Sequence, residues 1–140
     1  MAPSRRSALS SDHATIALRQ AIAAHVVAKG HQVVDIGPAT PESTHSPMHG
    51  VAAAQLVASG DCDLGIIMTA NKVRGIRCGV CSDTFSARMI RMHNDANMLS
   101  PGARVVGEGL ALEIVDAFLE AGFEGCRHAT RVAMIDAVEG

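Results

Sequence analysis

At 140 residues with 48% hydrophobic side chains, the chain can bury one core and is too short for two ordinary domains, so one domain over residues 1–140 is expected. A formal net charge of -2 offers no field to draw in a phosphodiester backbone, and three Phe with no Trp or Tyr leave no platform for stacking bases, so a nucleic-acid partner is not expected. No apolar run reaches the roughly 18 residues of a membrane span, and Met1 to Ser7 is basic without an apolar stretch behind it; the expectation is a cytoplasmic protein with no membrane partner.

Ala8 to Ser11 predicts a first strand, and Thr15 to Lys29 a helix with Leu18, Ile22 and Val26 on one face and Gly30 as its stop. Gln32 to Ile36 predicts a second strand, closed by Gly37-Pro38 and followed by a polar loop through Pro47 and an Ala-rich helix ending near Ser59-Gly60. Leu64 to Met68 and Ile76 to Cys81 predict the third and fourth strands. Ser82-Asp83 then offers N-cap chemistry for a helix to about Asn94. Met98-Leu99 marks a short fifth strand, Glu108 to Glu120 a further helix and Arg127 to Val138 a terminal one. Alternating strands and helices, with an apolar composition rich in aliphatic residues, predict an α/β fold: a three-layer Rossmann-like sandwich on a five-stranded parallel sheet. Ligands of such sheets bind outside the C-terminal ends of the strands.

One connection breaks the pattern. Only Thr69 to Gly75 separate the third and fourth predicted strands, too few for the helical crossover that joins parallel neighbours. The connection is abnormally tight, the strands pair differently, or a segment is missing.

Four cysteines, Cys62, Cys78, Cys81 and Cys126, are expected as reduced thiols in a chain able to fold without cross-links. Cys78 and Cys81, three apart on a strand, point to opposite faces, which argues against a shared metal.

Asp12-His13, after the first strand, sets a carboxylate beside an imidazole at the ligand edge; it suits proton transfer on a hydroxylated substrate, or Asp12 serves only to cap the following helix. His93-Asn94-Asp95-Ala96-Asn97 gathers four polar side chains where a structural turn more often uses Gly or Pro. Arg104, Arg127 and Arg131 are permanent cations, the last two one helical turn apart and able to grip one phosphate. His45 and His49 straddle Pro47 without an evident third ligand, so His45 reads as part of a substrate-facing loop and no metal site is expected.

Ser11-Asp12-His13-Ala14, Asp61 to Ile66, Ala70-Asn71-Lys72-Val73-Arg74-Gly75, Ser82 to Arg88, His93 to Asn97, Gly102-Ala103-Arg104 and Arg127 to Val132, taken in that order, carry a resemblance over essentially the whole chain. The chain resembles the family that contains ribose-5-phosphate isomerase B and the galactose-6-phosphate isomerase subunits. The resemblance implies aldose–ketose isomerisation of a phosphorylated sugar through an enediol(ate), with no metal or organic cofactor, at sites shared between the subunits of a homodimer or a tetramer. It implies that Asp12 handles ring-oxygen or hydroxyl protons, that His93 assists ring opening and that Asn94 steadies the developing oxyanion. His13, Arg104, Arg127 and Arg131 would hold the phosphate.

The sequence departs from that family's pattern at the connection already singled out. Its members normally carry Cys-Gly-Thr-Gly-x-Gly between the third strand and the Ala70-Asn71-Lys72 segment, with the Cys, or in some a Glu farther along, moving the proton between carbons. Here only Thr69 stands between Met68 and Ala70, so the base and the Gly-rich cradle are both absent. His45-Ser46-Pro47 replaces the frequent Asp-Tyr-Pro, and Pro101 and Cys126 stand where relatives usually have an apolar residue and Gly. The alternative reading is a catalytically inactive sugar-phosphate-binding or partner subunit of the same fold.

Overall fold

A computed structural model describes residues 3–39, 46–66 and 71–139. Strand β1 (Arg6–Leu9) is followed by a 3-10 turn (His13–Thr15), helix α1 (Ile16–Ala28), β2 (Gln32–Asp35), α2 (Ser46–Ala58) and β3 (Leu64–Ile66). Next come β4 (Cys78–Cys81), α3 (Thr84–Asn94), β5 (Met98–Pro101), α4 (Glu108–Glu120) and α5 (Arg127–Val138). All strand pairs are parallel and the order is β2-β1-β3-β5-β4.

Helices cover both faces, giving the expected three-layer sandwich. Leu9, Leu64, Ile66 and Leu99 pack against Ile22 and Val26 of α1 and against the fully buried Ile114 and Phe118 of α4. The alternate residues Ala8 and Met98 turn the other way, onto Ala53, Ala54 and Val57 of α2. Between Leu64 and Ile66, Gly65 leaves the space that the Met98 side chain fills, since a Cβ there would stand 2.5 Å from Met98 Cε. Cys81 belongs to the first cluster and Cys78 packs against the second, on opposite faces as their spacing requires.

The short connection after β3 has farther to reach than a link between neighbours. β3 and β4 are not neighbours, because β5 lies between them. Residues 67–70 fall outside the described part of the chain, and so does the predicted extension of the third strand to Met68. Two other strands differ in extent. β1 begins at Arg6 and ends at Leu9, two residues before the expected span, because Arg6 already pairs with Gln32. β4 begins at Cys78, and the buried Ile76 precedes it. Helix α2 already includes Pro47, one residue after its start at Ser46, where a missing N–H costs nothing.

Helix α1 ends in a Schellman arrangement. The His31 N–H donates to the Val26 carbonyl at 3.2 Å and the Gly30 N–H to that of Val27 at 3.0 Å, with Gly30 at φ 89°. Among the described residues no atom outside its own chain neighbours lies within 4 Å of where a Gly30 Cβ would be, so a side chain there meets strain and no clash with them. Gly30→Ala is expected to cost about 1–2 kcal/mol, read as a lower urea midpoint at unchanged slope.

Candidate functional site

The strand-end edge is organised around β1. Asp12 Oδ1 accepts from the Ala14 N–H at 3.0 Å and from the Thr15 hydroxyl at 2.9 Å, so Asp12 does cap the turn that opens with His13. Capping occupies one carboxylate oxygen and aims the group at the edge where β1 stops.

Beneath it lies Arg19, only 6% exposed. Its guanidinium pairs with Asp35 at 3.0 Å and donates to Ser11 Oγ at 3.0 Å and to the Pro38 carbonyl at 2.7 Å. One buried cation thus ties α1 to the ends of β1 and β2. A crevice opens beside it, lined by Leu9, Ser10, Ser11, Thr15, Arg19 and Pro101. It lies where chain connections leave β1 and β3 in opposite directions, the topological switch point at which α/β sheets take ligands. Arg104 stands exposed in the turn after β5, at this same edge.

Sequence reasoning overlooked Arg19. The signal was its place three residues before Ile22 and seven before Val26, on the apolar face of α1, where a cation persists only with partners.

His93 and Asn94 lie at the other end of the sheet. They form the last turn of α3, which Asp95 terminates in a left-handed conformation at φ 46°. Arg91 holds that strained residue by donating to Asp95 Oδ1 at 2.7 Å and to the Ala96 carbonyl at 2.8 Å. Arg77, just before β4, donates to the carbonyls of Asn94 and Asp95 at 3.0 and 3.1 Å. Asn97 accepts from the Arg77 N–H through its side chain at 2.8 Å. All these residues precede strands, so they crowd the edge where strands begin.

Helix α5 joins this edge. The Glu124 N–H donates to the Met92 carbonyl at 3.0 Å, and the buried His128 ring stacks on His93 with centroids 4.3 Å apart. Burial, with His93 and Arg127 beside it, pushes the His128 imidazole below its usual pKa. Arg127 and Arg131 are exposed one turn apart on α5.

Within one chain the expected residues therefore form two groups. Asp12, the turn containing His13, and Arg104 belong to the strand-end edge; His93, Asn94 and Arg127 belong to the strand-start edge. The two are separated by at least a four-residue strand, ~13 Å. His45 lies outside the described residues; His49 Nδ1 is 3.3 Å from the Ile36 carbonyl oxygen.

The Ribose/Galactose Isomerase family model matches residues 8–135. The chain is 42% identical to ribose-5-phosphate isomerase B of Escherichia coli (strain K12) over 144 aligned positions, which cover 96% of this chain and 97% of that one. Ribose-5-phosphate isomerase B of Clostridium thermocellum superposes with a TM-score of 0.92 at 45% identity, covering 96% of this chain and 97% of its own. The Mycoplasma genitalium ribose-5-phosphate isomerase B, solved with bound ribulose-5-phosphate, gives a TM-score of 0.90 at 33% identity, covering 96% and 95%.

Proposed function

The chain belongs to the ribose/galactose isomerase family and is an aldose–ketose isomerase of a phosphorylated sugar; from that premise we propose that two copies build each site between them. The strand-end edge of one copy supplies Asp12, His13, Arg104 and the loop containing His45. The strand-start edge of the second supplies His93, Asn94, Arg127 and Arg131. The observation that carries this reading is the separation of the two groups by the length of a strand, which favours their joint use across two chains.

In this arrangement His93 of the second copy donates a proton to the ring oxygen while Asp12 Oδ2, the oxygen not engaged as a cap, accepts from the hydroxyl, opening the sugar to its carbonyl form. A base then moves a proton between the two adjacent carbons, and Asn94 donates to the enediolate oxygen. Hydrogen is transferred within the substrate, so the reaction needs no external oxidant or reductant. Ribose 5-phosphate and ribulose 5-phosphate are the proposed pair, and the buried Cys62 and Cys81 thiols suit a reducing, cytoplasmic setting.

The base itself is the weak element of this chain. Only Thr69 separates Met68 from Ala70, and the alignment with the Escherichia coli enzyme is longer than the chain, so it opens gaps on this side. The short spacing after Met68 is what supports a shortened segment at the proton-transfer position. The test is calorimetric titration with ribose 5-phosphate beside a turnover assay for ribulose 5-phosphate. Neither binding nor turnover overturns the proposal, and binding without turnover favours the non-catalytic subunit.

Arg131→Ala is expected to weaken binding of ribose 5-phosphate by about 1.5–3 kcal/mol, the range for a hydrogen bond to a charged group. Unchanged affinity in the same calorimeter removes Arg131 from the site.

A further inference from the structure

Glu124, in the segment between α4 and α5, brings its carboxylate to the two stacked rings at the strand-start edge. Glu124 Oε2 lies 3.4 Å from His128 Nε2 and 3.7 Å from His93 Nε2. The three ligand atoms all lie within 4.8 Å of one another. A zinc-like ion with bonds of about 2.0–2.1 Å at tetrahedral angles holds its ligand atoms about 3.4 Å apart, so the two carboxylate–imidazole separations are near that spacing already.

A second observation points the same way. His128 is 6% exposed, yet among the described residues its Nε2 makes no well-aligned hydrogen bond and has only the Glu124 carboxylate 3.4 Å away, whereas a buried ring nitrogen ordinarily has a hydrogen-bond partner. The His93 side chain is more than a third exposed, so its ring can tilt out of the stack to converge on a shared ion. A cavity of about 290 Å³, lined by Glu124, Gly125, Cys126, Arg127 and His128, adjoins the cluster and leaves room for a fourth ligand, water or the Cys126 thiol. Arg127 and Arg131 oppose a cation here, and the Glu124 carboxylate offsets them.

We propose that His93, Glu124 and His128 form a site for a divalent transition ion of the zinc or cobalt class, and that the bound ion withdraws His93 from proton transfer. Two imidazoles and one carboxylate are ligands such ions favour over magnesium or calcium. The ion has no part in isomerisation; it competes for one of its side chains. The binding half stands on this geometry alone, while the inhibitory half rests on the assignment of His93 to the shared site.

The experiment titrates the chelator-treated full chain with Co²⁺, read by visible absorption, and with Zn²⁺, read by calorimetry. One ion per chain is expected, and Glu124→Gln should weaken binding by about tenfold or more. His128→Gln should do the same, and if that buried substitution prevents folding the exposed Glu124 variant decides. No saturable binding, or binding unchanged in Glu124→Gln, overturns the site. With binding established, Zn²⁺ should lower turnover of ribose 5-phosphate in the parent chain and not in Glu124→Gln; turnover indifferent to bound metal overturns the withdrawal of His93. Absence of turnover in metal-free protein counts against the isomerase reading and against the inhibitory half with it, while the titration still decides the site.

Discussion

Replacing Thr69 by Cys-Gly-Thr-Gly-Ile-Gly is expected to raise turnover of ribose 5-phosphate by about 10²–10⁴, the contribution of a positioned general base. The reason is that no thiol on the described residues is suited to the task. Cys62 is buried at the strand-start end of β3 and Cys81 is buried in the first core cluster, and burial pushes both thiols above their usual pKa. Cys78 packs against the opposite cluster and is pushed up to about 11, again chiefly by burial. Near neutral pH these groups stay protonated, and a protonated thiol is no base. Cys126 is exposed on the far edge from Asp12. The inserted segment instead restores a thiol at the strand-end edge together with backbone N–H groups able to cradle an anion. The same insertion with Ser in place of its Cys separates the base from the cradle, and its rate should stay near that of the parent. A parent chain already within a few-fold of the inserted one refutes the idea that the base is missing.

Helix bounds were legible wherever amphipathic period and punctuation agreed. The span Glu108–Glu120 follows Gly107 and the span Arg127–Val138 follows Gly125-Cys126, and both were read to the residue. Asp83 was legible as a cap because its side chain competes locally for a backbone N–H, and it does accept from that of Ser86 at 2.7 Å. Strand order was not legible. Nothing in the residues Met98–Pro101 states that they insert between β3 and β4, because parallel pairing joins segments distant in sequence. The short connection signalled trouble and offered three causes; the strands do pair differently, with β5 between β3 and β4, but that widens the span to be crossed, so it does not account for the shortness.

The candidate site was legible as a set of residues and not as an arrangement. Asp12 was singled out by its place after the first strand, His93 by its polar run, Arg127 and Arg131 by their helical spacing, and their roles by the family resemblance. Which edge each occupies depends on where a helix stops. α3 runs back along the sheet after β4, so its final residues, His93 and Asn94, arrive at the edge where strands start. Glu124 escaped notice because it lies in a segment without periodicity, and its meaning comes only from the two rings it faces.

On the proposed two-copy site, mixing two inactive variants is expected to restore about a quarter of parent activity, since random exchange of a dimer makes half the dimers mixed and gives each of those one intact site of two. The variants are Asp12→Asn and His93→Ala, made in whichever background, parent or inserted, turns over faster. Asn retains an oxygen for the Ala14 N–H and the Thr15 hydroxyl, so the first variant removes the charge and leaves the cap. His93→Ala deletes a partly exposed ring from the end of α3, where Arg77 and Arg91 still hold the turn. Each variant alone has both sites of its dimer damaged. In the mixed dimer one site draws Asp12 from the His93→Ala chain and its imidazole from the Asp12→Asn chain, and the other site collects both lesions. The exchange must be complete, which brief dilution and reconcentration of a differently tagged pair can establish. If the tagged mixed dimers form and activity does not return, Asp12 and His93 work within one chain, and a sheet that holds them a strand's length apart would have to rearrange to bring them together.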